Sequence, residues 1–257
     1  MPIVTLTSDL GFKDYYVAIV KGKILTQVPT AQLVDITHEI TPFNIQEAAF
    51  VLKNTFSHFP EKTIHLVSVH AETRIDTKIV VVQHANQYFV GMDNGLFALM
   101  LDDLPHKIVE ILQVNYSPTT FTAKDKLSNV VVDLLLGKNF QSLGVSLSTL
   151  ETKTYLRPPE NNFIIRANIV YIDRYGNLIT NMSKSRFEKI RAGRDFIINY
   201  KRNEELREIS TTYNDVPEGE RVCLFNSSGN LEIAINKGNA NQLLGLHLDH
   251  TIQIEFE

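Results

Sequence analysis

Two carboxylates, Asp9 and Asp14, follow a short apolar run in the segment Thr5-Leu6-Thr7-Ser8-Asp9-Leu10-Gly11-Phe12-Lys13-Asp14-Tyr15-Tyr16-Val17. One falls in a turn and the other where a helix is expected to begin. The first strand-to-helix turn of an α/β domain lies beyond the carboxyl end of its strand, where open sheets of this class bind ligands, so the pair can hold a polar small molecule. Structural roles are equally open to both residues. Asp14 can cap the helix that follows, and Asp9 can stabilise its own turn through the backbone.

Asp173-Arg174-Tyr175-Gly176-Asn177 offers a carboxylate, an aromatic face and an amide within one tight turn. These groups suit an amino group, a flat ring and a ring edge. A buried Asn donates and accepts at once, as the edge of a heteroaromatic base requires, and stacking on an aromatic ring contributes about 1 to 3 kcal/mol per base. Asn226-Ser227-Ser228-Gly229 supplies hydroxyls and turn amides that could bind a carboxylate. Tyr-Gly-Asn and Ser-Ser-Gly are also ordinary turn sequences, so each cluster taken alone can be purely structural.

The elements that must position these groups fall into two halves. Up to about residue 144, apolar runs alternate with helical periodicity, which predicts an α/β domain with a mainly parallel sheet. Val17, Val20, Ile24 and Val28 recur at helical spacing, as do Ile45, Ala48, Ala49, Leu52 and Phe56, and later Leu127, Val130, Val131, Leu134 and Leu135. Residues 64–69 read as a buried strand, and 78–84 with 88–91 as paired strands around Ala85-Asn86-Gln87. Pro158-Pro159 cannot continue a helix or a central strand, so residues 151–162 read as a linker. Beyond it, short β-prone runs separated by turns predict an all-β domain, an antiparallel barrel or sandwich. The expected division is therefore 1–150, 151–162 and 163–257.

A chain of 257 residues with 44% hydrophobic residues can bury substantial cores. Its net charge of -4 argues against electrostatically driven nucleic-acid binding, which needs clustered Lys and Arg. Cys223, the single cysteine, excludes an intramolecular disulfide and a cysteine-based zinc cluster and is expected in the core. His65, His70 and His84 lack a tight ligand spacing, so no metal site is expected. No basic region precedes a long apolar segment, so no membrane association is expected and the assigned location is cytoplasmic.

Thr7-Ser8-Asp9-Leu10-Gly11 with Asp14, then Asp35-Ile36-Thr37-His38, Asp93-Asn94-Gly95, Asp173-Arg174-Tyr175-Gly176-Asn177 and Asn226-Ser227-Ser228-Gly229 occur in one order. Together they resemble the S-adenosylmethionine hydroxide adenosyltransferases, relatives of the fluorinating and chlorinating adenosyltransferases, over nearly the whole chain. The resemblance implies an N-terminal α/β domain, a C-terminal β-barrel, and a homotrimer with ligand sites between subunits. It implies an adenosyl ligand, S-adenosylmethionine itself, with no separate cofactor. Carried over by position, Asp9 matches the carboxylate that grips both ribose hydroxyls, while Asp14 and Asp173 match positions associated with the methionine ammonium. Tyr175 and Asn177 match the adenine pocket, and Ser227 the methionine carboxylate region.

Hydrolytic members resemble one another in a Val-Asp-Pro-Gly-Val-Gly-Thr segment followed by arginine, and in a later Thr-Phe-His-Gly-Arg-Asp segment. Here the first reads Val69-His70-Ala71-Glu72-Thr73-Arg74-Ile75-Asp76-Thr77-Lys78 and the second Thr120-Phe121-Thr122-Ala123-Lys124-Asp125. His70 thus occupies the family aspartate position, Thr77 the arginine position and Thr122 the histidine position, which makes the water-activating set read as substituted. His70 is the candidate replacement base, since imidazole titrates near neutral pH. Thr122 could hydrogen-bond substrate, and Arg74 or Lys78 could supply positive charge. Three readings stay open: an enzyme cleaving S-adenosylmethionine to adenosine and methionine, a catalytically silent adenosyl-binding protein, and a partner-binding protein with a vestigial pocket.

Overall fold

The computed structural model describes residues 2–72, 77–101, 107–112, 119–152 and 163–257. It divides into two units, Met1–Thr154 and Tyr155–Glu257. Most of the linker expected at 151–162 lies outside the described residues, as does Arg74.

The first unit runs β1 (Ile3–Ser8), α1 (Tyr16–Gln27), β2 (Gln32–Thr37), α2 (Ile45–Lys53), β3 (Ile64–Ser68), β4 (Ile79–His84), β5 (Gln87–Met92), α3 (Leu96–Met100), β6 (Lys107–Ile111), α4 (Ser128–Leu135) and β7 (Gly144–Leu147). A π-helical turn, Ala123–Leu127, leads into α4. The strands form one sheet in the order β2-β1-β3-β5-β4-β6-β7. Alternate side chains point to opposite faces of a strand. Accordingly Val81 packs with α1 and α4 residues such as Ile24, Val130 and Val131, whereas Val80 and Val82 pack with α2 and α3 residues such as Leu52 and Phe97. Helices thus cover both faces.

The expectation of a mainly parallel sheet holds for only part of it. Neighbours β2, β1, β3 and β5 run parallel, but β5 to β4, β4 to β6 and β6 to β7 are antiparallel. The cause is local. Ala85 (φ +48) and Asn86 (φ +57) form a two-residue left-handed turn that pairs His84 with Gln87, and a hairpin of that length can only be antiparallel. Strands β6 and β7 then add to the reversed edge.

The second unit contains β8 (Ile164–Ile172), β9 (Leu178–Ser183), α5 (Lys184–Arg191), β10 (Phe196–Lys201), β11 (Glu204–Leu206), β12 (Arg221–Phe225), β13 (Asn230–Ile235), α6 (Ala240–Leu244) and β14 (Thr251–Phe256). Its seven strands follow the order β11-β10-β14-β8-β9-β13-β12, with every pairing antiparallel. The outer strands approach each other: Ser210, just beyond β11, donates its amide to the Cys223 carbonyl at 2.7 Å, and Arg221 on β12 pairs with Glu204 at 2.9 Å. A nearly closed barrel results. Its core includes Ile165, Ile198, Ile233, Ile254 and Cys223, with Phe187 of α5 edge-on to Phe196 and Phe225. Burial pushes the Cys223 thiol far above its ordinary range, so it stays a protonated core group. No helix among the described residues is long and apolar enough to cross a membrane.

Candidate functional site

In the first unit the carboxyl ends of the parallel strands meet at Asp9. One carboxylate oxygen, Oδ2, accepts the backbone N–H of Phe43 at 2.9 Å and that of His70 at 3.1 Å. A single side chain therefore ties together the segments that follow β1, β2 and β3. Phe43 (φ +68) and His70 (φ +48) are both left-handed non-glycine residues, a conformation that costs roughly 1 to 2 kcal/mol each. Two such residues donating to one carboxylate oxygen mark a turn whose geometry is held against local preference, as happens where function requires it. Oδ1 takes part in neither bond and keeps its lone pairs for other donors.

His70 is pinned on its other side as well. Asn94, in the Asp93-Asn94-Gly95 turn after β5, donates from Nδ2 to the carbonyls of Val69 (3.1 Å) and His70 (3.4 Å). The imidazole is half-buried with its ring edge-on to Phe43 at 5.5 Å. Thr77 immediately precedes Lys78, whose carbonyl accepts the Asp93 amide at 2.8 Å. Lys78 itself pairs with Glu110 at 3.1 Å, so its charge is already engaged. Thr122 is buried at the start of the π-helical turn, and its neighbour Ala123 lines a small cavity with Thr7, Ser8, Leu10, His38 and Ser68. The Thr122 segment thus lies beside the Asp9 turn.

Asp14 is exposed, one residue ahead of the Tyr15 N-cap, and among the described residues no side chain caps α1. The helix-capping explanation for Asp14 does not apply. His65 also lies in this unit but serves the core, its Nε2 donating to Gln87 Oε1 at 3.0 Å and its Nδ1 accepting the Thr5 hydroxyl at 2.7 Å in the neutral ring, while it stacks on Phe89. Burial lowers its pKa to about 4.

In the second unit Asp173 organises the turn between β8 and β9. Its Oδ1 accepts the amides of Tyr175 and Asn177, each at 2.9 Å, and Oδ2 accepts Asn177 Nδ2 at 3.0 Å. Gly176 sits at φ +84, where an added Cβ would lie 2.2 Å from Asn239 Oδ1, so only glycine fits. The turn holds Asn177 buried and leaves Tyr175 77% exposed, a ring face open to a partner. Ser227 is exposed in the turn between β12 and β13, which Asn226 ties by accepting the amides of Ser228 (3.0 Å) and Asn230 (3.1 Å) on Oδ1.

Glu232 joins this cluster without having been singled out from the sequence. It is 2% exposed on β13, accepting Tyr213 OH at 2.7 Å and Asn226 Nδ2 at 3.1 Å. Burial raises its pKa, the two hydrogen bonds oppose that, and the Asp173 charge raises it further. The Asp173 and Asn226 turns are therefore in electrostatic contact through Glu232. The signal was a lone carboxylate inside the apolar run Leu231-Glu232-Ile233-Ala234-Ile235. Among the described residues no group of three or more His, Cys, Asp or Glu side chains could hold a metal ion.

Comparison with known proteins matches residues 4–144 to the S-adenosylmethionine hydroxide adenosyltransferase N-terminal domain and residues 167–253 to the C-terminal domain of the same family. The chain is 31% identical to an (R)-S-adenosyl-L-methionine hydrolase of Methanocaldococcus jannaschii, covering 99% of this chain and 95% of that one. It is 23% identical to a fluorinase of Actinoplanes sp., covering 91% of each. Among solved structures, an uncharacterised conserved protein from Thermotoga maritima superposes with a TM-score of 0.87 at 31% identity, covering 98% of this chain and 99% of the other.

Proposed function

Because the chain belongs to the S-adenosylmethionine hydroxide adenosyltransferase family, we propose that it cleaves S-adenosylmethionine to adenosine and methionine, with water attacking the ribose 5′ carbon. In this displacement the water oxygen bonds to the 5′ carbon as the carbon–sulfur bond breaks. The electron pair of that bond returns to sulfur, which leaves as the neutral thioether of methionine. The leaving group needs no proton, so the only proton to remove is one from the attacking water. General-base help of that kind is worth about 10² to 10⁴ in rate, whereas positioning the reacting pair supplies about 7 to 11 kcal/mol.

The observation that carries the reading is the Asp9 carboxylate, fixed by two amides with Oδ1 left to accept from a ribose diol. In the same reading Asp14 and Asp173 offset the methionine ammonium, Tyr175 stacks on adenine, Asn177 reads its edge, and Ser227 meets the methionine carboxylate. His70, beside Asp9, accepts the proton of the attacking water. Thr122 and Thr77 position that water, and Arg74 adds positive charge near it. The working form would be a homotrimer with its ligands held between subunits.

The test is product formation. Purified protein incubated with S-adenosylmethionine should release adenosine and methionine in equal amounts. No adenosine above the uncatalysed rate, with adenosine still binding in a calorimeter, would replace the enzyme with a silent binding protein.

A further inference from the structure

His38 lies in a line of polar groups that runs from the surface to the Asp9 turn. Lys21 Nζ on α1 donates to Asp35 Oδ2 at 2.6 Å, Asp35 Oδ1 lies 3.1 Å from His38 Nε2, and His38 Nδ1 lies 2.6 Å from Ser8 Oγ. Ser8 Oγ in turn accepts the Leu10 amide at 3.3 Å. For a neutral imidazole, the arrangement that satisfies every partner puts the proton on Nε2, facing Asp35, and leaves Nδ1 to accept the Ser8 hydroxyl. Burial works against the Asp35 charge, but donation from Lys21 and His38 prevails and holds its carboxyl below the usual range.

Serine, imidazole and carboxylate in this order can activate a nucleophile. Here they do not. Ser8 and His38 are each 2% exposed, and the Ser8 oxygen already accepts the Leu10 amide, so no substrate carbon can approach it. What the line fixes is backbone. The His38 side chain holds Ser8, the residue before Asp9, while its own carbonyl accepts the Gly11 amide, two residues after Asp9, at 2.7 Å. Phe12 closes the grip with its ring edge-on to the imidazole at 4.9 Å. One residue therefore clamps the turn on both sides of the carboxylate.

We propose that His38 is a positioning residue, which through Ser8 sets the aim of the Asp9 carboxylate and so the protein's preference for ligands with an intact ribose diol. This rests on Asp9 being the ribose contact. Supporting groups of this kind matter because a binding constellation must be held to a fraction of an ångström.

Calorimetry on the full chain with adenosine and with 2′,3′-dideoxyadenosine, which lacks the diol, tests it. The wild type should prefer adenosine. His38→Ala keeps the backbone bond to Gly11 and removes only the side-chain clamp, and it should cut that preference about tenfold while leaving the dideoxy affinity unchanged. Asp35→Asn acts at the exposed end of the line and should lower the preference part of the way. An unchanged preference in both variants overturns the inference and leaves Asp9 as the ribose contact. An equal loss for both ligands also overturns it, by showing general structural damage. A wild type that binds both ligands equally overturns the role of Asp9 itself.

Discussion

Asp9 and Asp173 are both carboxylates in a tight turn that follows a strand, yet their hydrogen bonds reach in opposite ways along the chain. Asp9 accepts from Phe43 and His70, residues 34 and 61 positions away, and His38 grips its turn from a third segment. Asp173 accepts from Tyr175 and Asn177, two and four positions away. The first turn needs strands distant in sequence to have come together; the second makes its Asp173 bonds within its own five residues. Asp9 engages its distant amides through Oδ2 alone, whereas Asp173 commits both oxygens to amides of its own loop, which leaves the Tyr175 ring exposed.

The largest expected effect tests the distant kind. Asp9→Ala should weaken adenosine binding by about a hundredfold to a thousandfold, since a charged acceptor for two hydroxyls is lost and two amides lose their partner. A loss of threefold or less, measured by calorimetry, would place the ribose elsewhere.

Next comes pH, where the two units should respond in opposite directions. The folded pKa of His65 is about 4, below its ordinary 6.5, so between those values the unfolded chain binds more protons. The contribution of His65 to the first unit's stability is thus complete above about pH 6.5 and lost as pH falls towards 4, by roughly 2 to 3 kcal/mol. Glu232 has a raised folded pKa, so its contribution is complete below its ordinary 4.5 and lost as pH rises through the folded value. Amide hydrogen exchange at pH 6.5 and pH 4.5 should show the first unit weakening and the second strengthening on acidification. Parallel changes in both units would contradict this assignment.

Gly176→Ala tests the local kind. A Cβ at a left-handed position that also meets Asn239 should destabilise the second unit by about 2 kcal/mol in chemical denaturation, with the first unit unaffected. A neutral result would show that the turn can relax. The smallest effect is expected from Glu232→Gln, which retains most of the hydrogen bonding to Tyr213 and Asn226 and should flatten the pH dependence of the second unit. A variant as pH-sensitive as the wild type would trace that dependence to another group.

The sequence carried the local features well. Ala85-Asn86-Gln87 reads as the turn between paired strands, one residue longer than the hairpin turn observed, the helical spacing of Val17, Val20 and Ile24 matches α1, and the β-prone runs of the second half correspond to its antiparallel strands. Features set by assembly were not legible. Nothing near β6 or β7 signals that they extend the hairpin rather than the parallel strands. Strand β9 was hidden because Thr180, Asn181 and Ser183 interrupt its apolar pattern, although Thr180 is buried and its hydroxyl donates to the Leu231 carbonyl. At the candidate site the residue types of Asp9, Asp173 and Asn177 were evident as motifs. The partners of Asp9, the clamp at His38 and the buried Glu232 depend on contacts between strands far apart in sequence.

The most direct test of the proposed chemistry is to follow the oxygen. When wild-type protein turns over S-adenosylmethionine in water enriched in heavy oxygen, mass spectrometry should find one heavy atom in the 5′-hydroxyl of the adenosine released, well above a protein-free control and abolished by Asp9→Ala. Adenosine without the label, or no adenosine beyond the control, would contradict water attack at the 5′ carbon.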